Sequence, residues 1–318
     1  MWTDCILDRQ KLVEQAYQRG GELNLRNKAY LSWLEWFFNR EYSEDVGERD
    51  VTSLALLPRN KLGKASLKAK NEGIVAGIEE ATWFLSKHGI KVKSLIQDGG
   101  KIRKGAAILE VNGGQRDILA TERISLNVLQ RMSGIATEAE RLGSLLKNSE
   151  AKIAATRKTV WRYLDKKAVY LGGGLTHRLG LWDSMLIKDN HLQALKAMGE
   201  DKPVEKALAK AAKFASRVGF IEIEVANQEE AWAAARKFKQ LKLRKPCIMM
   251  LDNWKPSKIA EIIEKLRKAD LYDYVLLEAS GNVTPENITE YAETGIDVIS
   301  LGYLTHSARI LDMSLEME

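Results

Sequence analysis

Residues 219–252 read GFIEIEVANQEEAWAAARKFKQLKLRKPCIMMLD. Two short apolar runs, Gly219–Val225 and Cys247–Leu251, flank a stretch of helical period at Gln228–Leu241. Runs this short suit strands buried in a parallel sheet, and parallel neighbours need a crossover such as the helix between them. The same unit repeats outward. Further strands are expected at Lys152–Ala155, Met185–Lys188, Tyr274–Glu278 and Asp297–Leu301. Helices are expected at Pro203–Val218, Pro256–Lys268 and Pro285–Glu293, the last with a Thr284 cap and Pro at its first position. The fold class is therefore α/β, with a parallel sheet closed or nearly closed into a barrel, although six strands fall short of eight.

The first ~130 residues read differently. Leu31–Arg40 (LSWLEWFFNR) is an aromatic amphipathic helix, and Glu35 favours packing over a membrane surface. Residues 64–78 and 92–111 alternate and are broken by Gly pairs, as in antiparallel strands; 98–111 resembles a turn of a biotinyl-like sandwich. Ala120–Thr137 returns to helical period. The expected division is an N-terminal α+β sandwich domain at 1–133 and a catalytic barrel at 134–304. A C-terminal helix over about 305–318 is expected to pack on the sandwich. The first ~25 residues are expected to add a packing helix.

Composition narrows the classes. Hydrophobic residues make up 45% of the 318 and charged residues 29%, enough for a core and typical of a soluble protein. No apolar run approaches a membrane span, and the charged start MWTDCILDRQ lacks a signal-peptide core, so the expected location is cytoplasmic. Cys5 and Cys247 are the only cysteines, which excludes a disulfide framework and Cys-rich metal spacing. The net charge of +6 comes without a basic aromatic stripe, so an anionic metabolite is a better partner than nucleic acid.

Charge gathers where barrel enzymes keep their chemistry, at the C-terminal ends of strands. Arg157 and Lys158 follow the first expected strand, Lys188 ends the second, Glu224 lies near the end of the third and Asp252 follows the fourth. His177 and Arg178 lie beside them in GGGLTHRLG. Ser280, Gly281 and Asn282 follow the fifth strand and Gly302 the sixth; small loops before helices suit phosphate. Glu224 and Asp252 suit general acid–base work or Mg2+ binding, and Glu222 shares the Glu224 face by alternation. The histidine spacing does not suit zinc. His191 is expected to make a structural hydrogen bond, His306 to have no chemistry and His88 to lie on the surface.

These stretches carry a family resemblance. TERISLNVLQRMSGIAT (121–137), TRKT (156–159), HRLGLWDSMLIKDNH (177–191), IEIEV (221–225), MLDN (250–253), EASGNVTPENI (278–288) and DVISLGYLTHSA (297–308) resemble the quinolinate phosphoribosyltransferase family. The resemblance implies an incomplete α/β barrel. It implies transfer from phosphoribosyl pyrophosphate (PRPP) to quinolinate with loss of CO2, giving nicotinate mononucleotide. By the same resemblance, Arg157, His177, Arg178 and Lys188 hold the quinolinate carboxylates. Arg123 completes that pocket from a neighbouring subunit of a homodimer or homohexamer. Lys158 and Lys188 face the PRPP phosphates, Glu224 and Asp252 bind Mg2+ and ribose hydroxyls, and Ser280, Gly281 and Gly302 cradle a phosphate. The chain departs from the family pattern at Val160-Trp161-Arg162, at Thr176 (commonly Asn), at Asn282 (commonly Gly) and in a longer loop through Lys237–Lys245. A phosphoribosyltransferase for another aromatic acid, such as nicotinate, and a catalytically silent basic binding protein are the alternatives.

Overall fold

A computed structural model describes residues 9–318; Cys5 lies outside the described residues. The chain begins with α1 (Arg9–Tyr17), α2 (Lys28–Val46), α3 (Val51–Leu56), β1 (Leu62–Ala69), β2 (Gly73–Ile74), α4 (Ile78–Lys87), β3 (Lys91–Ser94), β4 (Lys101–Ile102), β5 (Ala107–Gly114) and α5 (Gln115–Leu145). It continues through β6 (Lys152–Ala154), α6 (Arg162–Leu171), β7 (Met185–Ile187), α7 (Asp189–Ala197), α8 (Pro203–Ala212), β8 (Ile221–Val225), α9 (Gln228–Leu241) and β9 (Cys247–Asp252). Last come α10 (Pro256–Lys268), β10 (Leu276–Ser280), α11 (Ile288–Ala292), β11 (Val298–Ser300), α12 (Tyr303–His306) and β12 (Met313–Met317).

Two compact units form, each drawn from several stretches of the chain. One contains the described residues up to Arg19, Leu142–Lys158 and Gly174–Tyr303; the other contains Gly20–Arg141, Thr159–Gly173 and Leu304–Glu318. The chain returns to each unit because distant segments complete its core, as follows.

In the first unit all six expected strands form one parallel sheet, in the order β6-β11-β10-β9-β8-β7. The crossover helices follow their sequence signals. Asn227 caps α9 by accepting the Glu230 N–H at 3.0 Å, and Ala231, Ala234, Ala235 and Phe238 are buried at helical spacing. Pro256 opens α10, which buries Ile259, Ile262, Ile263 and Leu266. Each such aliphatic side chain contributes roughly 2 kcal/mol of burial before entropy. The expected helix at Pro203–Val218 ends at Ala212, with a 3-10 turn at Ala215–Arg217. Helix α1 is the packing element expected near the start. Val13, Ala16 and Tyr17 share one buried cluster with Phe220, Ile248, Leu276 and Val298, residues at the starts of the strands. Arg9 fastens this helix: Nη2 donates to Asp297 Oδ2 at 2.7 Å and to the Val275 carbonyl at 2.8 Å.

The second unit carries the antiparallel sheet β12-β1-β5-β3 and the pair β2-β4. The expected C-terminal helix is not there. Helix α12 stops at His306, and Met313–Met317 is a strand paired with β1, Leu315 opposite Leu67. Met313, Leu315 and Met317 alternate with Ser314 and Glu316, a period of two that suits a strand. The aromatic helix α2 is packed as expected. Phe38 stacks on Phe84 at 4.4 Å, Phe37 meets Trp161 at 5.2 Å and Trp33 meets Tyr163 at 4.9 Å. His88 is half-buried against Tyr42 at 4.4 Å, so its expected surface position is corrected by aromatic packing.

The departure Val160-Trp161-Arg162 leads into α6, whose Asp165 is fully buried. Arg131 Nε and Nη2 donate to its carboxylate at 2.7 and 2.8 Å, the Trp161 N–H donates at 3.3 Å, and the Thr159 hydroxyl adds a further bond. Breaking a buried pair by removing one partner leaves the other charge uncompensated. Asp165→Ala is therefore expected to cost about 3 kcal/mol, read as a lowered urea midpoint of this unit's unfolding. A midpoint unchanged from the parent would remove the anchoring role.

Candidate active site on the parallel sheet

Side chains two apart share one face of a strand, and here that face changes character along the strands. Phe220, Ile248, Leu276 and Val298 form its apolar beginning. By alternation Glu222, Met250, Glu278 and Ser300 come next or near it, and Glu224, Asp252 and Ser280 stand at the strand ends. The register aligns Asp252 with Ser280, Ser280 with Ser300, and Ser300 with Ala154 across four strands. Glu224 aligns with Met250 and Met250 with Glu278. Hence the expected site residues of β8, β9 and β10 do share one face and one end of the sheet. Strand β10 runs two residues further than expected, so Ser280 ends it and does not follow it.

Arg157 and Lys158 are exposed directly after β6, where the Lys158 N–H donates to Thr156 Oγ1 at 3.1 Å. Lys188 follows β7, and its Nζ donates to Glu224 Oε1 at 2.6 Å. His191 Nδ1 accepts the Lys188 N–H at 2.9 Å, the structural bond expected of it. Arg178 is buried, 5% exposed, and Nη1 donates to the Ser184 carbonyl at 3.0 Å. Burial lowers its pKa, and the neighbouring Arg157 charge lowers it further. Glu222, Glu224 and Asp183 oppose these two effects, and an anionic ligand would add to them in favouring the buried guanidinium charge. Asp183 supports this loop: it accepts the Leu179 N–H at 2.8 Å and the Ser184 hydroxyl at 3.1 Å. Thr176 ties the end of α1 to the same loop, donating to the Tyr17 carbonyl at 2.9 Å and accepting the Arg19 N–H at 2.8 Å.

The loops after β9 and β10 are joined. Asn253 N–H donates to the Ser280 carbonyl at 2.8 Å, and Asn282 Nδ2 donates to Asn253 Oδ1 at 2.9 Å. Gly281 has φ +78°, and a Cβ there would stand 2.3 Å from Asn253 Oδ1, so only glycine fits. Asn282, commonly Gly in the family pattern, keeps a left-handed φ of 55° that asparagine tolerates. The helix expected from Thr284 starts later. Asn287 Oδ1 accepts the Thr284 N–H at 2.8 Å, residues 285–287 form a turn, and α11 begins at Ile288 with only five residues. Any anion here meets turn amides and not a Thr284-capped helix. Gly302 stands directly before α12.

His177 is buried, with a left-handed φ of 54°. Its Nδ1 accepts the Arg178 N–H at 2.7 Å, and its Nε2 lies 3.4 Å from both Glu222 Oε2 and Glu278 Oε2. Both ring nitrogens thus have partners within the protein. Burial opposes charge on the ring, whereas Glu278 and Glu222 favour it and raise its pKa to about 9. The bond at Nδ1 needs a free lone pair, however, so the geometry assigns a neutral ring protonated at Nε2. Burial and the neighbouring Glu278 push the Glu222 carboxyl up, toward its protonated form. Among the described residues, His177, Glu222 and Glu278 are the group of potential metal ligands whose donor atoms lie within 4.8 Å of one another. A proton on Nε2 leaves no lone pair there for a metal.

Glu278, Tyr17, Asp183 and Asp165 were not singled out from the sequence. Glu278 was detectable, since it opens EASGN and shares the Ser280 face by alternation. Cys247 is buried, its thiol pushed up to about 12 by burial, and offers no nucleophile. Arg123 is exposed on α5, within the second unit. No described helix is long and apolar enough to cross a membrane.

Comparison with known proteins agrees with this geometry. Residues 135–316 match the family model for the quinolinate phosphoribosyl transferase C-terminal domain, and residues 50–133 match that for its N-terminal domain. A probable nicotinate-nucleotide pyrophosphorylase (carboxylating) of Methanocaldococcus jannaschii is 39% identical over 280 residues, covering 86% of this chain and 93% of its own length. One from Bacillus subtilis is 36% identical over 294 residues, covering 89% and 93%. The crystal structure of NadC from Streptococcus pyogenes is 31% identical with a TM-score of 0.79, covering 90% of this chain and 97% of that one. With both domain models matched in order and relatives above 30% identity aligned over most of both chains, this chain belongs to the quinolinate phosphoribosyltransferase family.

Proposed function

We propose that this chain transfers the phosphoribosyl group of PRPP to the ring nitrogen of quinolinate and releases the adjacent carboxylate as CO2. The products are nicotinate mononucleotide and pyrophosphate, within de novo NAD biosynthesis. The observation that carries this reading is Arg178: a buried cation next to Arg157, at the end of the sheet that presents Glu224 and Asp252. A substrate with two carboxylates suits two arginine forks.

The residues divide the work. Arg157, Arg178 and Lys188 receive the quinolinate carboxylates, with Arg123 supplied by a second copy of the chain in a homodimer or homohexamer. Lys158 and Lys188 face the PRPP phosphates, and Ser280, Gly281, Asn282 and Gly302 line the phosphate loops. Glu224 and Asp252 offer oxygen donors on one face of adjacent strands, a set that fits Mg2+. When bound, that ion would neutralise charge on the departing pyrophosphate. The pyridine nitrogen is already nucleophilic, so the protein needs no serine or cysteine. Its nitrogen forms a bond to the ribose anomeric carbon while the bond to pyrophosphate oxygen breaks. The ring then carries positive charge, accepts the electron pair left by CO2, and takes up a proton at that carbon. Orientation and charge placement are the protein's contribution.

Incubation with quinolinate, PRPP and Mg2+ is expected to give nicotinate mononucleotide and CO2 in equal amounts; acceptance of nicotinate and refusal of quinolinate would overturn the substrate assignment. Arg178→Ala is expected to raise the KM for quinolinate roughly a hundredfold, the worth of a charge-assisted bidentate contact, with far less effect on PRPP. Asp252→Asn should blunt the response of rate to Mg2+ concentration, and an unaltered response would remove it from the metal side. Mixing inactive Arg123→Ala and Lys188→Ala protomers should restore activity; none, despite mixed oligomers, would exclude a shared site.

A further inference from the structure

Beneath the strand-end residues, the middle of the sheet's site face holds a buried polar layer to which the proposed reaction assigns no role. Glu222 and Glu278 are fully buried, and among the described residues their carboxylate oxygens have only the His177 ring, at 3.4 Å, and the Tyr17 and Ser300 hydroxyls as polar neighbours, none in a hydrogen bond of ordinary geometry. The Tyr17 hydroxyl and Ser300 Oγ are buried in the same condition. His177 sits among them, its ring edge-on to Tyr17 at 5.2 Å. Buried charges replaced by packed apolar side chains are often neutral or stabilising, so stability alone does not call for this layer.

The polar layer has one outlet. His177 holds a left-handed backbone conformation that costs of order 1 kcal/mol or more in a non-glycine residue. The ring is held from both sides: Nδ1 accepts the Arg178 N–H, and Nε2 points between the two glutamates. The direction in which the next side chain leaves the backbone is set by that held conformation. The next side chain is Arg178.

We propose that Glu278, Glu222 and Tyr17 are positioning residues that act through His177 to aim the Arg178 guanidinium at a substrate carboxylate. Helix α1, which brings Tyr17, thereby takes part in substrate recognition although it packs at the starts of the strands, opposite their catalytic ends. This inference rests on the reading of Arg178 as a quinolinate-binding residue.

The test uses the full-length enzyme and three variants, Glu278→Gln, Tyr17→Phe and Arg178→Ala, with KM measured separately for quinolinate and PRPP and with Tm measured alongside. Glu278→Gln and Tyr17→Phe are expected to raise the quinolinate KM by about tenfold, to leave the PRPP KM within about twofold, and to keep Tm equal or higher. A purely structural role would lower Tm and move both KM values together, and that result overturns the proposal. An unchanged quinolinate KM in both variants, with a raised one in Arg178→Ala, also overturns it while leaving the Arg178 reading intact. An unchanged quinolinate KM in Arg178→Ala would bring down that reading and the proposal with it. Elemental analysis of the purified parent adds one outcome: a stoichiometric divalent metal that Glu278→Gln loses would make the layer a metal site and overturn the positioning role.

Discussion

The two-residue repeat of a β-strand is the constraint on which this site depends. Because side chains two apart share a face, β8 and the residue before it present Phe220, Glu222 and Glu224 in succession along one side, and β10 presents Leu276, Glu278 and Ser280. Parallel pairing aligns these successions across the sheet. The outcome is a gradient, apolar at the strand starts and polar at their ends. A shift of one residue in any of these strands would turn its carboxylates to the other face.

Burial then decides what each charge can do. Lys188 and Glu224 pair where the lysine still meets solvent, so both remain available to ligands. Arg178 is buried beside Arg157, and an anionic ligand would add to Glu222, Glu224 and Asp183 in favouring its charge. His177, Glu222 and Glu278 are so enclosed that they interact chiefly with one another, and the hydrogen bond from the Arg178 N–H selects the ring tautomer. Neighbouring residues in one motif, HR, thus have opposite surroundings. One side chain faces the interior layer, and the other donates to the Ser184 carbonyl beside Arg157.

The second unit depends on aromatic packing and one buried ion pair. Helix α2 stacks its rings against α4 and α6, and Asp165 gathers Arg131, Thr159 and Trp161. The segment after TRKT, which departs from the family's usual pattern, is therefore an anchored element. Thr176 is explained similarly: its hydroxyl both donates and accepts, fastening residues 17–19.

The amino-acid sequence by itself determined the parallel sheet, its six strands, the helices α9 and α10 to the residue, and the charged residues at the strand ends. Those features depend on local periods and caps, which are written in neighbouring positions. Shared faces followed too, because alternation needs no tertiary information. Only the tertiary structure decided the role of His177, since a motif reveals that a histidine is near an arginine but not which way its ring nitrogens point. It also decided that Tyr17 reaches a layer built from residues far away in sequence, that 159–173 belongs with the N-terminal sheet, and that 313–317 is a strand. Each of these rests on contacts between residues far apart along the chain, and no local pattern records such a contact.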